Sequence, residues 1–184
     1  MKPTVLITGG SGFLGRRLGK ALRDRYKVFL CARNQHQNTL AEKFSGCPSL
    51  PVDVARYESI RDAVIETRPD ILVHAAATKY VDLGEKYPLE CIDVNVLGSQ
   101  NVAKVAIERT VRENYAQGIK RFFITDDNLA RNSMWEELFD RMIKMKVDEG
   151  MDIGFTIQVD TLCHKIPNFV EKATKGGARR IFIG

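Results

Sequence analysis

Three glycines, Gly9, Gly12 and Gly15, follow directly on the short run TVLIT and lead into the helical pattern FLGRRLGKAL. In that setting Gly9 permits a tight turn between a buried strand and a helix. Gly12 lets the backbone come close to a ligand, and Gly15 lets the helix lie against the strand. The chemistry such a turn performs is anion capture, because the first N–H groups of a helix have no intrahelical acceptor and a pyrophosphate supplies one. The turn, with Phe13 and Leu14 at the helix start, is therefore expected to cradle a dinucleotide.

The elements that must hold this turn in place alternate regularly. Short apolar runs at residues 4–8, 27–32, 49–54, 70–75, 121–125, 154–159 and 180–183 read as strands, with helical spacing in the first helix and at 39–44, 57–67, 133–149 and 167–175. Right-handed crossovers between parallel strands then imply an α/β fold, a doubly wound Rossmann-like sheet of seven strands in the order 3-2-1-4-5-6-7. The cofactor would lie across the carboxyl ends, where strands one and four diverge. In the first helix Leu14, Leu18, Ala21 and Leu22 form the expected buried stripe, leaving Arg16, Arg17 and Lys20 in solvent. Residues 88–117 carry a helical pattern almost throughout, which as one helix would be about 45 Å long. Within it Thr110 and Glu113 make a capping box, so two helices written end to end are expected. In the helix at 133–149, Trp135, Leu138, Phe139, Met142 and Ile143 read as a core stripe.

At 184 residues, with 44% hydrophobic and 28% charged residues, the chain is expected to be one soluble α/β domain over 1–184. No apolar stretch approaches the roughly 18 residues of a membrane span. The first strand starts so soon after Met1 that a cytoplasmic protein is expected. Cys31, Cys47, Cys91 and Cys163 fall in no CxxC or CxxxCxxC spacing, which excludes a zinc ribbon and an iron–sulfur loop. The net charge of +5 lacks interleaved aromatics and a recognised motif, so no nucleic acid is expected as a partner.

Residues 1–108 resemble the extended short-chain dehydrogenase/reductase family, in particular the nucleotide-sugar epimerases and 4,6-dehydratases. TGGSGFLG, HAAATK from His74 and DVNVLGSQNV from Asp93 carry the likeness. The resemblance implies an adenine held at Asp53 and Val54, a ribose and nicotinamide side lined by Ala75, Ala76 and Ala77, and an active site supported by Asn95. The Asp53 carboxylate can accept from an exocyclic amine, or it can cap a helix. Where NAD-dependent members place a carboxylate after strand two, this chain has Arg33 and Asn34. A guanidinium there suits a 2′-phosphate, which makes NADP the expected cofactor ahead of NAD, although an arginine at a strand end is also a common solubilising residue. A nucleotide-sugar is the implied second ligand. The oligomeric state is not legible; family members often dimerise through helices flanking strand four.

The family's usual proton-transfer pair, Tyr-x-x-x-Lys, occurs nowhere in the 184 residues. Its dehydratase branch ends strand five in Thr-Asp-Lys, and the chain has Thr125 and Asp126 followed by Asp127. Thr125 and Asp126 are the candidate catalytic residues. As a plain alternative, Asp126, Asp127 and Asn128 form a polar turn, and a divalent cation shared by Asp126, Asp127 and Asp160 is a third reading. His74 reads as a packed histidine. From Arg109 onward, the runs through WEELFDRMI, GFTIQVDTLC and RRIFIG resemble βα units of a radical-SAM barrel of the kind found with cobalamin-binding domains, without its three-cysteine loop. The expectation is a chimera, with residues 1–108 as the dinucleotide-binding half and 109–184 completing the sheet. Binding without turnover is the favoured function. A working NAD(P)-dependent epimerase or dehydratase and a scaffold with a vestigial nucleotide site are the alternatives.

Overall fold

A computed structural model describes residues 2–78, 85–126 and 128–183. The chain folds into two compact units, Met1–Ile107 and Glu108–Gly184.

In the first unit four parallel strands, β1 (Thr4–Thr8), β2 (Lys27–Ala32), β3 (Ser49–Pro51) and β4 (Ile71–His74), stand in the order β3-β2-β1-β4. Successive residues of β1 serve opposite faces. Val5 and Ile7 join Val28 and Leu30 in one core cluster, and Leu6 joins Cys31, Ile60 and Val64 in another. Because both faces are covered, the strand reads as unbroken apolar sequence. The crossovers are α1 (Phe13–Leu22), α2 (Gln35–Ser45) and α3 (Tyr57–Thr67). In α1 the buried residues are Gly15 and Gly19, with Leu18 and Leu22 partly buried, while Leu14 is 63% exposed and Ala21 is exposed too. The expected leucine stripe is therefore rotated. A Cβ at Gly19 would stand 2.8 Å from Leu30 Cδ2, so the helix lies on β2 through its glycines and turns Leu14 outward.

After β4 come α4 (Pro88–Ile92), one π-helical turn (Asp93–Leu97) and α5 (Gly98–Ala116). The expected helix start at Thr110 is absent, because α5 runs straight through it. Glu113 pairs with Arg109 one turn back, and Asn114 Nδ2 donates to the Thr110 carbonyl at 2.8 Å. The break in regularity falls instead at the π turn, where Gly98 backs onto Val54: a Cβ there would lie 2.7 Å from Val54 Cγ2.

The second unit holds β5 (Arg121–Phe123), β6 (Gly154–Val159) and β7 (Ala178–Ile183), all parallel, in the order β5-β6-β7. Helices α6 (Trp135–Val147) and α7 (Phe169–Gly176) connect them. One core cluster gathers Phe139, Met142 and Met145 of α6, Phe155, Ile157 and Val159 of β6, and Phe169 of α7. Phe169 packs edge to face with both Trp135 and Phe139, its ring 4.9 Å from that of Trp135. The expected single sheet of seven strands is thus two sheets of four and three. The buried residues of the second unit, Val111 of α5 among them, form one cluster that shares no member with the two clusters of the first unit. All four cysteines are free. Among the described residues no helix is long and apolar enough to cross a membrane.

Candidate functional site

At the carboxyl ends of β1, β2 and β4 lies a cavity of about 260 Å³. Gly9 sits at φ +67°, and a Cβ on it would stand 2.5 Å from the Ala75 carbonyl oxygen, so the turn passes directly over the end of β4. Gly10, which lies outside the three-glycine spacing, crosses β2 just as closely: its Cβ would meet Leu30 Cβ at 2.5 Å, and its N–H donates to the Cys31 carbonyl at 2.9 Å. A Cβ on Gly15 would strike the Gly9 carbonyl. Gly12 differs, since its only near neighbour would be the Gly9 oxygen at 3.1 Å, and it faces the cavity. Gly12 is also the N-cap of α1, whose first turn holds no acidic residue. Its opening N–H groups and positive dipole end are left for an anion.

Of the residues singled out from the sequence, Gly9, Gly12, Arg33, Asn34, Val54, Ala75, Ala76 and Ala77 line this cavity together with Ser11, Thr78 and Val94. Gly15 works behind it, through packing. Phe13 and Leu14 begin α1 and are exposed, and Phe13 carries the Arg17 guanidinium 3.8 Å above its ring. Asp53 is not in the lining. Its Oδ1 accepts from the Ala55 N–H at 3.1 Å and its own N–H donates to Ser59 Oγ at 3.0 Å, so here it shapes the turn into α3. Asn34 caps α2, its Oδ1 accepting from the Gln37 N–H at 3.0 Å. Arg33 holds Glu90 Oε1 of α4 at 2.7 Å, an exposed pair.

Below the cavity runs a directional hydrogen-bond chain. Ser99 gives its hydroxyl proton to the Asn95 carbonyl at 2.7 Å, so it must accept from His74 Nε2–H at 3.0 Å. Burial holds the His74 ring below its usual pKa of 6.5, and the neutral ring's Nδ1 accepts from the Thr8 hydroxyl at 2.7 Å. Thr8, fully buried, accepts in turn from the N–H groups of Ala75 and Ala76 at 3.2 and 3.4 Å. Asn95 projects from the π turn and clamps Thr78 through both backbone groups, at 2.8 and 3.0 Å. The packed histidine is therefore a strut under residues 75–78. Thr8 and Ser99 lie inside the TGGSGFLG and DVNVLGSQNV stretches, yet sequence reasoning assigns neither a role; the four-residue step from Asn95 to Ser99, a helical neighbour pair, is the signal that could have found Ser99. Cys31 also lines the cavity, and burial pushes its thiol up to about 12.

Thr125 and Asp126 belong to the second unit and are not in this lining. Asp126 accepts from the Asn128 N–H at 3.0 Å and from Asn132 Nδ2 at 2.8 Å. Asp160 accepts from Asn128, Arg131 and the Leu162 N–H, and those donors hold its carboxyl below the usual range. Both carboxylates are taken up by turns. Asp127 lies outside the described residues, and among the described residues no cluster of His, Cys, Asp and Glu could hold a metal ion.

This geometry matches what comparison with known proteins finds. An inverting UDP-N-acetylglucosamine 4,6-dehydratase of Campylobacter jejuni is 34% identical over 118 residues, covering 61% of this chain and 35% of the relative. The chain thus spans about a third of that relative's length. A UDP-glucose 4-epimerase of Thermus thermophilus in complex with NAD superposes with a TM-score of 0.50 at 18% identity, over 85% of this chain and 54% of that one. An actinorhodin polyketide ketoreductase with NADPH gives 0.52 at 16%, over 86% and 70%. These two likenesses are of fold. Over residues 5–124, from β1 through α5 and β5 and so past Glu108, the sequence matches the NAD dependent epimerase/dehydratase family, to which this chain belongs.

Proposed function

We propose that the first unit binds a nicotinamide dinucleotide, NADP or NAD, with its pyrophosphate on the Gly9–Gly15 turn. One observation carries the reading: the open N-terminus of α1 and the bare Gly12 face a cavity that Arg33, Asn34 and Ala75–Ala77 complete. In this reading Gly9, Gly10 and Gly15 hold the turn close to β2 and β4, and Gly12 leaves room for the phosphates. Arg33 stands where a 2′-phosphate would meet it, which favours NADP once the guanidinium leaves Glu90. Two relatives whose names include NAD and NADPH share the fold. A nucleotide-sugar is the second ligand class, on the strength of the family and of the dehydratase relative.

The reading is of binding ahead of turnover. No Tyr-x-x-x-Lys occurs in these residues, and the Asp126 carboxylate is engaged by two donors of its own turn. Isothermal titration with NADPH and NADH tests the binding, and saturable heat with either supports it. Gly12→Val places its side chain in the cavity with only one backbone oxygen to displace, so it should abolish binding and leave the thermal melt within a few degrees of the parent. Unchanged affinity in Gly12→Val would show that the pyrophosphate lies elsewhere. Turnover of a UDP-sugar would overturn the preference for binding alone.

A further inference from the structure

The strands of the second unit alternate. Toward the core they send Phe122, Phe155, Ile157 and Val159. The register puts Arg121 beside Gly154, Phe123 beside Thr156 and Arg180 beside Thr156 on the far side, and Phe182 beside Gln158. With side chains alternating across a strand, Arg121, Phe123, Thr156, Gln158, Arg180 and Phe182 share the opposite face. Phe123 and Phe182 are 53% and 56% exposed there, their rings 6.1 Å apart and edge to face.

Beside this aromatic pair the face is strongly basic. Arg121, Arg179 and Arg180 surround a cavity of about 260 Å³ floored by Gly154, whose missing side chain makes the room: a Cβ there would lie 3.0 Å from the Arg179 stem and 3.2 Å from that of Arg121. The register shift between Phe155 and Thr156 brings Arg179 into this group. Asp152 answers Arg179 at 3.2 Å and Arg121 at 3.7 Å, and among the described residues Arg180 has no carboxylate partner. Three guanidiniums against one carboxylate repel one another until an anion joins them, and guanidinium geometry suits phosphate.

We propose that this open face of β5-β6-β7 is a platform for single-stranded nucleic acid, with backbone phosphates at Arg121, Arg179 and Arg180 and bases stacked on Phe123 and Phe182. Phe123 follows Arg121, and Phe182 follows Arg180, by two steps along the strand, about 6.6 Å at 3.3 Å per residue, which places a base one step from the phosphate that precedes it. The arginines supply charge complementarity, and the aromatics accept any base because every base has a π-face. Net charge alone points to no such partner. The pairing of strands is what interleaves basic and aromatic side chains.

Fluorescence anisotropy with a labelled 12-nucleotide oligouridine tests this on the full chain. Saturable binding at 50 mM salt is expected, with log affinity falling against log salt at a slope of about −2 for three phosphate contacts. Arg180→Ala should shrink that slope by about 0.7, and Phe182→Ala should weaken binding about tenfold at unchanged slope. Both positions are exposed, and a thermal melt equal to the parent's verifies that the fold persists. Adenosine monophosphate should compete better than ribose 5-phosphate if the aromatic pair takes a base. Three results overturn the proposal: no saturable binding, equal affinity for a 12-base-pair duplex, or loss of binding on Arg17→Ala but not on Arg180→Ala. A dimer in solution that Phe182→Ala dissociates, without oligonucleotide binding, would assign the face to a second copy of the chain and overturn it too.

Discussion

The two units solve the same problem, a parallel sheet with helical crossovers, in different ways. In the first, core clusters cover both faces of β1, so its ligand site can only be at the strand ends, where the glycine turn opens. In the second, a single cluster covers one face of the sheet, and on the other face the arginines and phenylalanines of β5 and β7 flank Thr156 and Gln158 of β6. A sheet buried on both sides keeps its chemistry at its edge, in the loops. A sheet buried on one side has a whole surface to offer.

The largest expected effect tests whether the one-sided unit stands on its single cluster. Phe139 is fully buried and packs against both Trp135 and Phe169. Phe139→Ala should cost about 3–5 kcal/mol through lost burial and an unfilled cavity. Trp135 is the only tryptophan, so its fluorescence in urea reports this unit. Amide exchange of β1 follows the other. The Trp135 transition should move to lower urea while β1 protection holds, and equal loss in both would mean that the two units unfold as one.

Next comes the strut of the two-sided unit. Thr8→Val keeps the shape of a fully buried side chain but removes the hydroxyl from His74 Nδ1 and from the Ala76 N–H, while the Ala75 N–H keeps the Thr8 carbonyl at 3.2 Å. An unpaired buried polar group costs about 1–3 kcal/mol. The variant should lose that much in urea unfolding and weaken dinucleotide binding, because residues 75–78 form one wall of the cavity. Parental stability would show that water replaces the hydroxyl.

How much of this is legible in the sequence follows from the same contrast. TVLIT is apolar at every inner position and announces a strand covered on both sides, and the glycines after it announce the turn. GFTIQV alternates strictly, the pattern of a strand with one open face, yet its length and apolar content suit another strand of the same sheet equally well. The separate closure of residues 121–183 is not visible there, because strand partners are chosen by cores that only packing reveals. Gly10 and the rotation of α1 are hidden for a related reason: a glycine shows where backbones can touch, but not which backbone arrives. Asp53, Asn34 and Asp126 are visible as polar residues at strand ends, and nothing in their spacing distinguishes a ligand contact from the turn and cap bonds they make.

Acid should separate the units by the pH at which each weakens. The folded pKa of His74 lies below the unfolded value of 6.5, so between the two the unfolded chain binds more protons. The first unit is then most stable above pH 6.5 and loses stability as pH falls below it, until the folded ring itself titrates. Glu149, paired with Arg112, and Asp160 have folded values below 4.5 and 3.8, so their contribution is full above those values and lost as pH falls through the folded ones. Between pH 7.5 and 5.5, β1 protection should fall while the Trp135 urea midpoint stays level, and below about pH 4 the midpoint should fall as well. His74→Gln should flatten the first response. If β1 protection is level through pH 6, His74 is not neutral in the way its partners require.

The smallest effect concerns two arginines treated differently. Arg180 in the second unit has no carboxylate partner among the described residues, whereas Arg33 in the first is held by Glu90 in an exposed pair. Such a pair is worth about 0–1 kcal/mol, so Glu90→Gln should leave stability within about 0.5 kcal/mol of the parent. Its consequence should appear in binding. A 2′-phosphate must draw the guanidinium from Glu90 and sit near that carboxylate, and removing the charge lifts both costs. NADP affinity should rise severalfold, about 1 kcal/mol or less on the arithmetic of tenfold per 1.4 kcal/mol, while NAD affinity, with no 2′-phosphate to place, stays put. Titrating parent and variant with both cofactors at two salt concentrations measures the difference, which should narrow as salt screens the carboxylate. An equal gain for NAD would mean that Glu90 opposes the pyrophosphate or the adenosine and not the 2′-phosphate, and that Arg33 plays no part in choosing between the two cofactors.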